Sequence, residues 1–141
     1  MSAEIDHIAI KVSDIEEFSA GLINLGYTLQ SSGQYDEVGM KIAFLGTESS
    51  GKSEKMELLE VTDPTSPIAA DPDGLHHLAV SVSDIEASYE MMSRSPLYSV
   101  EGNIRQGAHC RIFFFRMAGT EQPLFECCEE TVGLNVDKEN K

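Results

Sequence analysis

Apolar and polar positions alternate from Asp6 to Val12, with Ile8, Ile10 and Val12 on one parity and His7, Ala9 and Lys11 on the other. A period of two with β-branched residues predicts a half-buried strand. The period then changes. Ile15, Phe18, Leu22 and Leu25 recur at three- and four-residue steps, an apolar helical stripe that Gly26 is placed to end. Both patterns return 70 residues later. Leu78, Val80 and Val82 alternate with His77, Ala79 and Ser81, and Ile85, Tyr89 and Met92 then follow at helical spacing before Pro96. Ser13 with Glu16, and Ser83 with Glu86, predict a capping box at the start of each helix. A unit that recurs in this way is one supersecondary motif used twice.

Three further strands are predicted after each helix. They are Tyr27–Gln30, Met40–Leu45 and Lys55–Val61 in the first copy, and Leu97–Val100, Cys110–Arg116 and Pro123–Cys128 in the second. Each copy therefore reads β-α-β-β-β. The modules span residues 5–62 and 75–130 of a single 1–141 domain, joined by a link carrying Pro64, Pro67 and Pro72. The fold class is α+β. One helix covers one face of four strands, so the expected architecture is a curved, mixed eight-stranded sheet around a cleft. Gly46-Thr47-Glu48-Ser49-Ser50-Gly51-Lys52-Ser53 has the spacing of a phosphate-binding loop. Such a loop should open a helix, whereas a strand follows here, so the stretch reads as a hairpin loop. The polar tail Thr131–Lys141 is expected to fray.

Charge and cysteine usage narrow the partners. The chain has 24 Asp and Glu against 10 Lys and Arg, a formal net charge of -14. That disfavours duplex nucleic acid and anionic membrane surfaces, both of which need local positive charge. No apolar run reaches the length of a membrane span, and the first ten residues do not read as a secretory signal. Cys110, Cys127 and Cys128 are odd in number and form no disulfide framework. A cytoplasmic location is expected.

Candidate chemistry follows from strand parity. If Ile8, Ile10 and Val12 pack beneath their helix, His7 faces the other way, and the same holds for His77. Glu57 and Glu126 occupy related places in the last strand of each copy. Two imidazoles and two carboxylates can hold a divalent metal of intermediate hardness. His76 and Glu60 have the opposite parity, which points Glu60 to solvent. His109 lies in a loop, where it faces water or a ligand.

Four stretches carry a family resemblance: Asp6-His7-Ile8-Ala9-Ile10, Met56-Glu57-Leu58-Leu59, Ser66-Pro67-Ile68-Ala69 and Gly74-Leu75-His76-His77-Leu78-Ala79. Together they resemble the methylmalonyl-CoA epimerases of the vicinal oxygen chelate superfamily, to which glyoxalase I is related. The resemblance runs from about Ile5 to Glu130. It implies a glyoxalase-like fold with His7, Glu57, His77 and Glu126 as metal ligands. The implied ion is divalent: cobalt, nickel, zinc or manganese. It also implies a homodimer and an acyl-CoA thioester substrate, epimerised through a metal-stabilised enolate. Glu57 and Glu126 are then the candidate proton-transfer groups, since Ile42 stands where some bacterial epimerases carry a proton-abstracting glutamate. Arg105, Arg111 and His109 are the candidate substrate-binding residues. A glyoxalase-I-like isomerisation of a hemithioacetal and a non-catalytic, metal-dependent binding module are the alternatives.

Overall fold

The computed structural model describes residues 3–47 and 55–130. The chain divides into two compact units. One comprises Asp6–His77, and the other Leu78–Lys141 together with Met1–Ile5. The expected fraying tail, and most of the loop between Gly46 and Lys55, lie outside the described residues.

The first unit runs β1 (Ala3–Lys11), α1 (Ile15–Asn24), β2 (Thr28–Tyr35), a 3-10 turn at Asp36–Val38, β3 (Met40–Gly46) and β4 (Lys55–Val61). Its strands lie in the order β2-β3-β4-β1. β1 and β4 are parallel, and the other two pairings are antiparallel. The second module repeats the plan with β5 (Gly74–Val82), whose residues up to His77 count with the first unit, α2 (Ile85–Arg94), β6 (Tyr98–Gln106), β7 (Arg111–Met117) and β8 (Phe125–Glu129). Here the order is β5-β8-β7-β6, with β5 and β8 parallel. The register repeats as well as the order. Ala9 pairs with Glu57 in one unit, and Ala79 with Glu126 in the other.

Each helix covers the face that parity assigns to it. Ile15 and Leu22 of α1 pack on Val12, Ala43, Leu45 and Leu58, joined by Ile10 and Met56. Ile85 and Met92 of α2 pack on Val82, Phe113, Phe115 and Cys127. The opposite face of the first unit has its own apolar cluster of Ala9, Met40, Ile42, Phe44 and Leu59, with Ile68 against it. That face is the better buried along β1: His7, Ala9 and Lys11 are buried, whereas Ile8 and Ile10 are only half-buried. The alternation therefore identifies the two faces correctly but inverts their burial.

Helix capping differs from expectation. The caps are Asp14 and Asp84, not Ser13 and Ser83. Asp14 Oδ1 accepts from the backbone N–H groups of Glu16 and Glu17 at 3.1 Å each, and Asp84 Oδ1 accepts from Ala87 at 3.0 Å. Glu60 has the parity assigned to it, yet its Oε1 accepts from the Ile15 N–H at 2.8 Å instead of facing only solvent. Three N–H groups of the first turn of α1 are thus satisfied by carboxylates, which also suit the positive end of the helix dipole. Asp14→Ala is expected to lower stability by about 0.5–2 kcal/mol in urea unfolding, the usual cost of a lost N-cap.

β2 and β6 run well past their predicted ends at Gln30 and Val100. Each is the terminal strand of its unit's sheet order, and each carries a register shift, at Leu29/Ser31 and at Glu101/Arg105. Such strands keep one edge in solvent and tolerate polar residues and glycine, which hides them from a hydrophobic pattern. Among the described residues, no helix is long and apolar enough to cross a membrane.

Candidate metal centre

Parallel pairing of β1 and β4 places His7 and Glu57 on the face away from α1. The His7 ring meets the edge of Phe44 at 5.4 Å, within the apolar cluster of that face. His7 Nε2 lies 3.1 Å from Glu57 Oε1, and His77 Nε2 lies 3.5 Å from the same oxygen. The imidazole rings are 6.0 Å apart. All three residues are buried, at 5–7% exposure. Their ligand atoms lie within 4.8 Å of one another.

Further groups hold these side chains from behind. His7 Nδ1 is 2.7 Å from Asp6 Oδ2. His77 Nδ1 is 2.8 Å from His76 Nδ1, and His76 Nε2 is 2.8 Å from Asp71 Oδ2. The segment carrying Asp71 is tied to β1, because the buried Lys11 ammonium donates to the carbonyls of Ala69 (3.2 Å) and Asp71.

This arrangement fits a cation. With the Nδ1 proton of His7 directed at Asp6, its Nε2 presents a lone pair to a carboxylate oxygen. Glu57 Oε1 is buried and accepts no hydrogen bond of good geometry among the described residues. Lone pairs facing one another in a dry site are costly unless positive charge lies between them. Donor atoms that share an ion at about 2.1 Å sit roughly 3–3.5 Å apart, which is the distance of each imidazole nitrogen from the Glu57 oxygen here. Nitrogen and carboxylate donors suit a first-row divalent metal. Burial alone would push the Glu57 carboxyl up, but where the His7 and His77 rings carry a proton at Nε2, in place of a cation, they outweigh it and hold the group at about 2. Glu57 is therefore anionic throughout the physiological range.

The structure brings together three of the four sequence-predicted ligands in the first unit. Glu126 belongs to the second unit. It is buried on β8 at the register position matching Glu57, and its Oε1 accepts from the Cys128 thiol at 3.1 Å. The adjacent cysteines divide by parity: Cys127 joins the core beneath α2, whereas Cys128 shares the face of Glu126. Burial and the Glu126 charge push the Cys127 thiol up to about 12. The Cys110 thiol, burial and Glu126 also push Cys128 up. Both remain thiols at neutral pH in the metal-free protein.

The candidate substrate contacts lie in the second unit. Arg111 donates to Glu129 (3.1 and 2.6 Å) and to Glu86 (3.3 Å). Arg105 stands 5.0 Å over the Phe114 ring, and its Nη1 donates to the Asn103 carbonyl at 3.0 Å. His109 is exposed in the turn before β7. Parity reasoning missed Asp6 and His76 because each sits on the alternate face from the ring it touches. An imidazole Nδ1 lies close to its own backbone, however, so a side chain next in sequence can reach it. Sequence adjacency was the available signal.

Comparison with known proteins identifies the family and the fold. The profile of the Glyoxalase/Bleomycin resistance protein/Dioxygenase superfamily matches residues 6–115. The human mitochondrial methylmalonyl-CoA epimerase is 28% identical over 117 residues, covering 79% of this chain and 64% of the human protein. The chain thus spans somewhat less than two thirds of that relative. The structure of methylmalonyl-CoA epimerase from Mycobacterium tuberculosis superimposes with a TM-score of 0.77 at 26% identity, covering 94% of this chain and 91% of that one. A variant Streptomyces coelicolor methylmalonyl-CoA epimerase in complex with 2-nitronate-propionyl-CoA gives 0.73 at 25% identity, with 91% and 94% coverage. The eight strands and two α-helices of the described residues thus share the fold of the Mycobacterium tuberculosis enzyme. The chain belongs to the glyoxalase/bleomycin resistance protein/dioxygenase superfamily, and its relatives include methylmalonyl-CoA epimerases.

Proposed function

We propose that this chain interconverts the epimers of a 2-substituted acyl-CoA thioester, methylmalonyl-CoA in the first instance. His7, Glu57 and His77 would hold a divalent cation, and Glu126 is a further candidate ligand because it repeats the register position of Glu57 in its own module. The observation that carries this reading is the convergence of two imidazole nitrogens on one buried carboxylate oxygen, at 3.1 and 3.5 Å. The names of the relatives, and the acyl-CoA analogue bound by one of them, support the substrate class.

A cation bound there supplies positive charge against the negative oxygen that develops when the C–H between two carbonyl groups is broken. The chain's own groups do the remaining work. His7 and His77 present unprotonated Nε2 atoms, oriented through their Nδ1 contacts. Glu57, as the anion, would accept the C2 proton and become the neutral acid, and Glu126, in its protonated form, is the candidate to return a proton to carbon. Ile42, packed with Met40, Phe44 and Leu59, contributes apolar wall and cannot carry a proton. Arg105 and His109 are proposed to meet the coenzyme A portion. Arg111 would join them only by releasing Glu129 and Glu86. A homodimer and a reducing, cytoplasmic setting complete the reading, in keeping with three cysteines that form no disulfide.

The test is turnover of cobalt-loaded protein in heavy water. Methylmalonyl-CoA should take up deuterium at C2 and interconvert its epimers, while a methylglyoxal–glutathione hemithioacetal is left unchanged. Isomerisation of the hemithioacetal without epimerisation would move the protein to glyoxalase-like chemistry. Tight metal-dependent binding of methylmalonyl-CoA without exchange would make it a binding module.

A further inference from the structure

We propose that His76 and Asp71 are positioning residues that fix the tautomer and orientation of His77 for metal binding. The inference rests on the metal-site reading above. It follows from counting protons along the observed contacts. To bind a metal through Nε2, a neutral imidazole must keep its single proton on Nδ1. His77 Nδ1 is 2.8 Å from His76 Nδ1, so the His76 atom must be the acceptor. The one N–H left to His76 is then at Nε2, which is 2.8 Å from Asp71 Oδ2. An ionised carboxylate only accepts, so the chain terminates there. Each donor meets one acceptor in this order. The reverse order would put a proton on His77 Nε2, where it would take the place of a metal ion, and would require a proton on Asp71 or a second proton on His76.

The surroundings fit this role. The His76 side chain is 8% exposed, whereas the Asp71 carboxylate is 47% exposed. Burial strengthens the hydrogen bond between the two rings and gives His76 the larger share of the effect. Lys11 grips the Ala69 and Asp71 carbonyls from β1, the strand that also bears His7. One strand thereby bears the first histidine and, through the loop, anchors the support of the second. His7 has the shorter version of the same device, with Asp6 directly on its Nδ1. Outer-shell partners of metal-bound histidines work in this manner, raising ligand basicity and holding the ring in place.

The experiment uses the full chain, with Co2+ as the probe. His76→Phe keeps a ring but offers no acceptor, and it should weaken Co2+ binding in a calorimetric titration about 10–100-fold. His76→Asn restores an acceptor near the Nδ1 position and should bind within ~3-fold of the native protein. Long-range proton–nitrogen spectra of the metal-free native protein at pH 8 should place the His77 proton on Nδ1. Thermal unfolding of the metal-free variants separates positioning from general destabilisation, since His76→Phe and His76→Asn should unfold within a few degrees of each other. Native Co2+ binding left unchanged by His76→Phe, or a His77 proton found on Nε2, would overturn the inference alone. A native protein that takes up no Co2+ would overturn it together with the metal-site reading.

Discussion

Glu57→Gln is expected to slow exchange of the C2 proton of methylmalonyl-CoA about 10²–10⁴-fold, the usual range for loss of a positioned general base. The substitution is nearly isosteric and leaves an oxygen facing His7 and His77, so the fold and most of the pocket shape should survive. What disappears is the only carboxylate of the three, the anionic group proposed to take the proton from carbon and become the neutral acid. The low proton affinity of Glu57 gives the pH dependence its sign. Its folded value, about 2, lies below the ordinary 4.5. The stabilisation it gains from the imidazoles is therefore complete above about pH 4.5 and is lost as pH falls from there towards 2. Exchange measured by deuterium incorporation, with retained metal content as the control, checks the prediction. Solvent exchange that survives in both Glu57→Gln and Glu126→Gln would reject both carboxylates as bases.

The second large effect is on metal retention. His77→Ala removes a ligand outright, so its cost should exceed the 10–100-fold typical of outer-shell changes and reach more than about 100-fold in Co2+ affinity. The same argument applies to His7→Ala. The effect should also appear in stability, because an ion that binds only the folded chain raises its unfolding temperature by mass action. Excess Co2+ should raise the unfolding temperature of the native protein and leave that of His77→Ala nearly unchanged. His76→Phe should fall between the two, which orders ligand and support on one scale.

Much of this architecture could be read from the chain because duplication repeats each signal. A lone histidine in a strand carries little information. His7 and His77, each opening the same alternation and each matched by a glutamate in the last strand of its copy, constrain one another. Register made Glu57 and Glu126 legible for the same reason, each pairing with the alanine two residues beyond its histidine. Burial was less legible. Nothing in the sequence marks Lys11 as buried, yet it lies in the better-covered face of β1, where two backbone carbonyls of the loop before β5 satisfy its ammonium. A hydrophobic pattern cannot anticipate a buried charge whose partners are main-chain atoms some 60 residues away. The caps were misplaced by one residue, since Ser13 and Asp14 are both good capping types and only the backbone decides which one lies at the boundary. Cys128 was obscure because its partner is the Glu126 carboxylate two residues earlier on the same face, a contact that gives no periodic signal.

The most direct test of the account is the cobalt content of protein freed of unbound metal by gel filtration, measured by elemental analysis on the native chain and on the His7→Ala/His77→Ala double variant. The account predicts about one ion per native chain and almost none in the variant. Equal cobalt in the two proteins, or none in the native one, would contradict it.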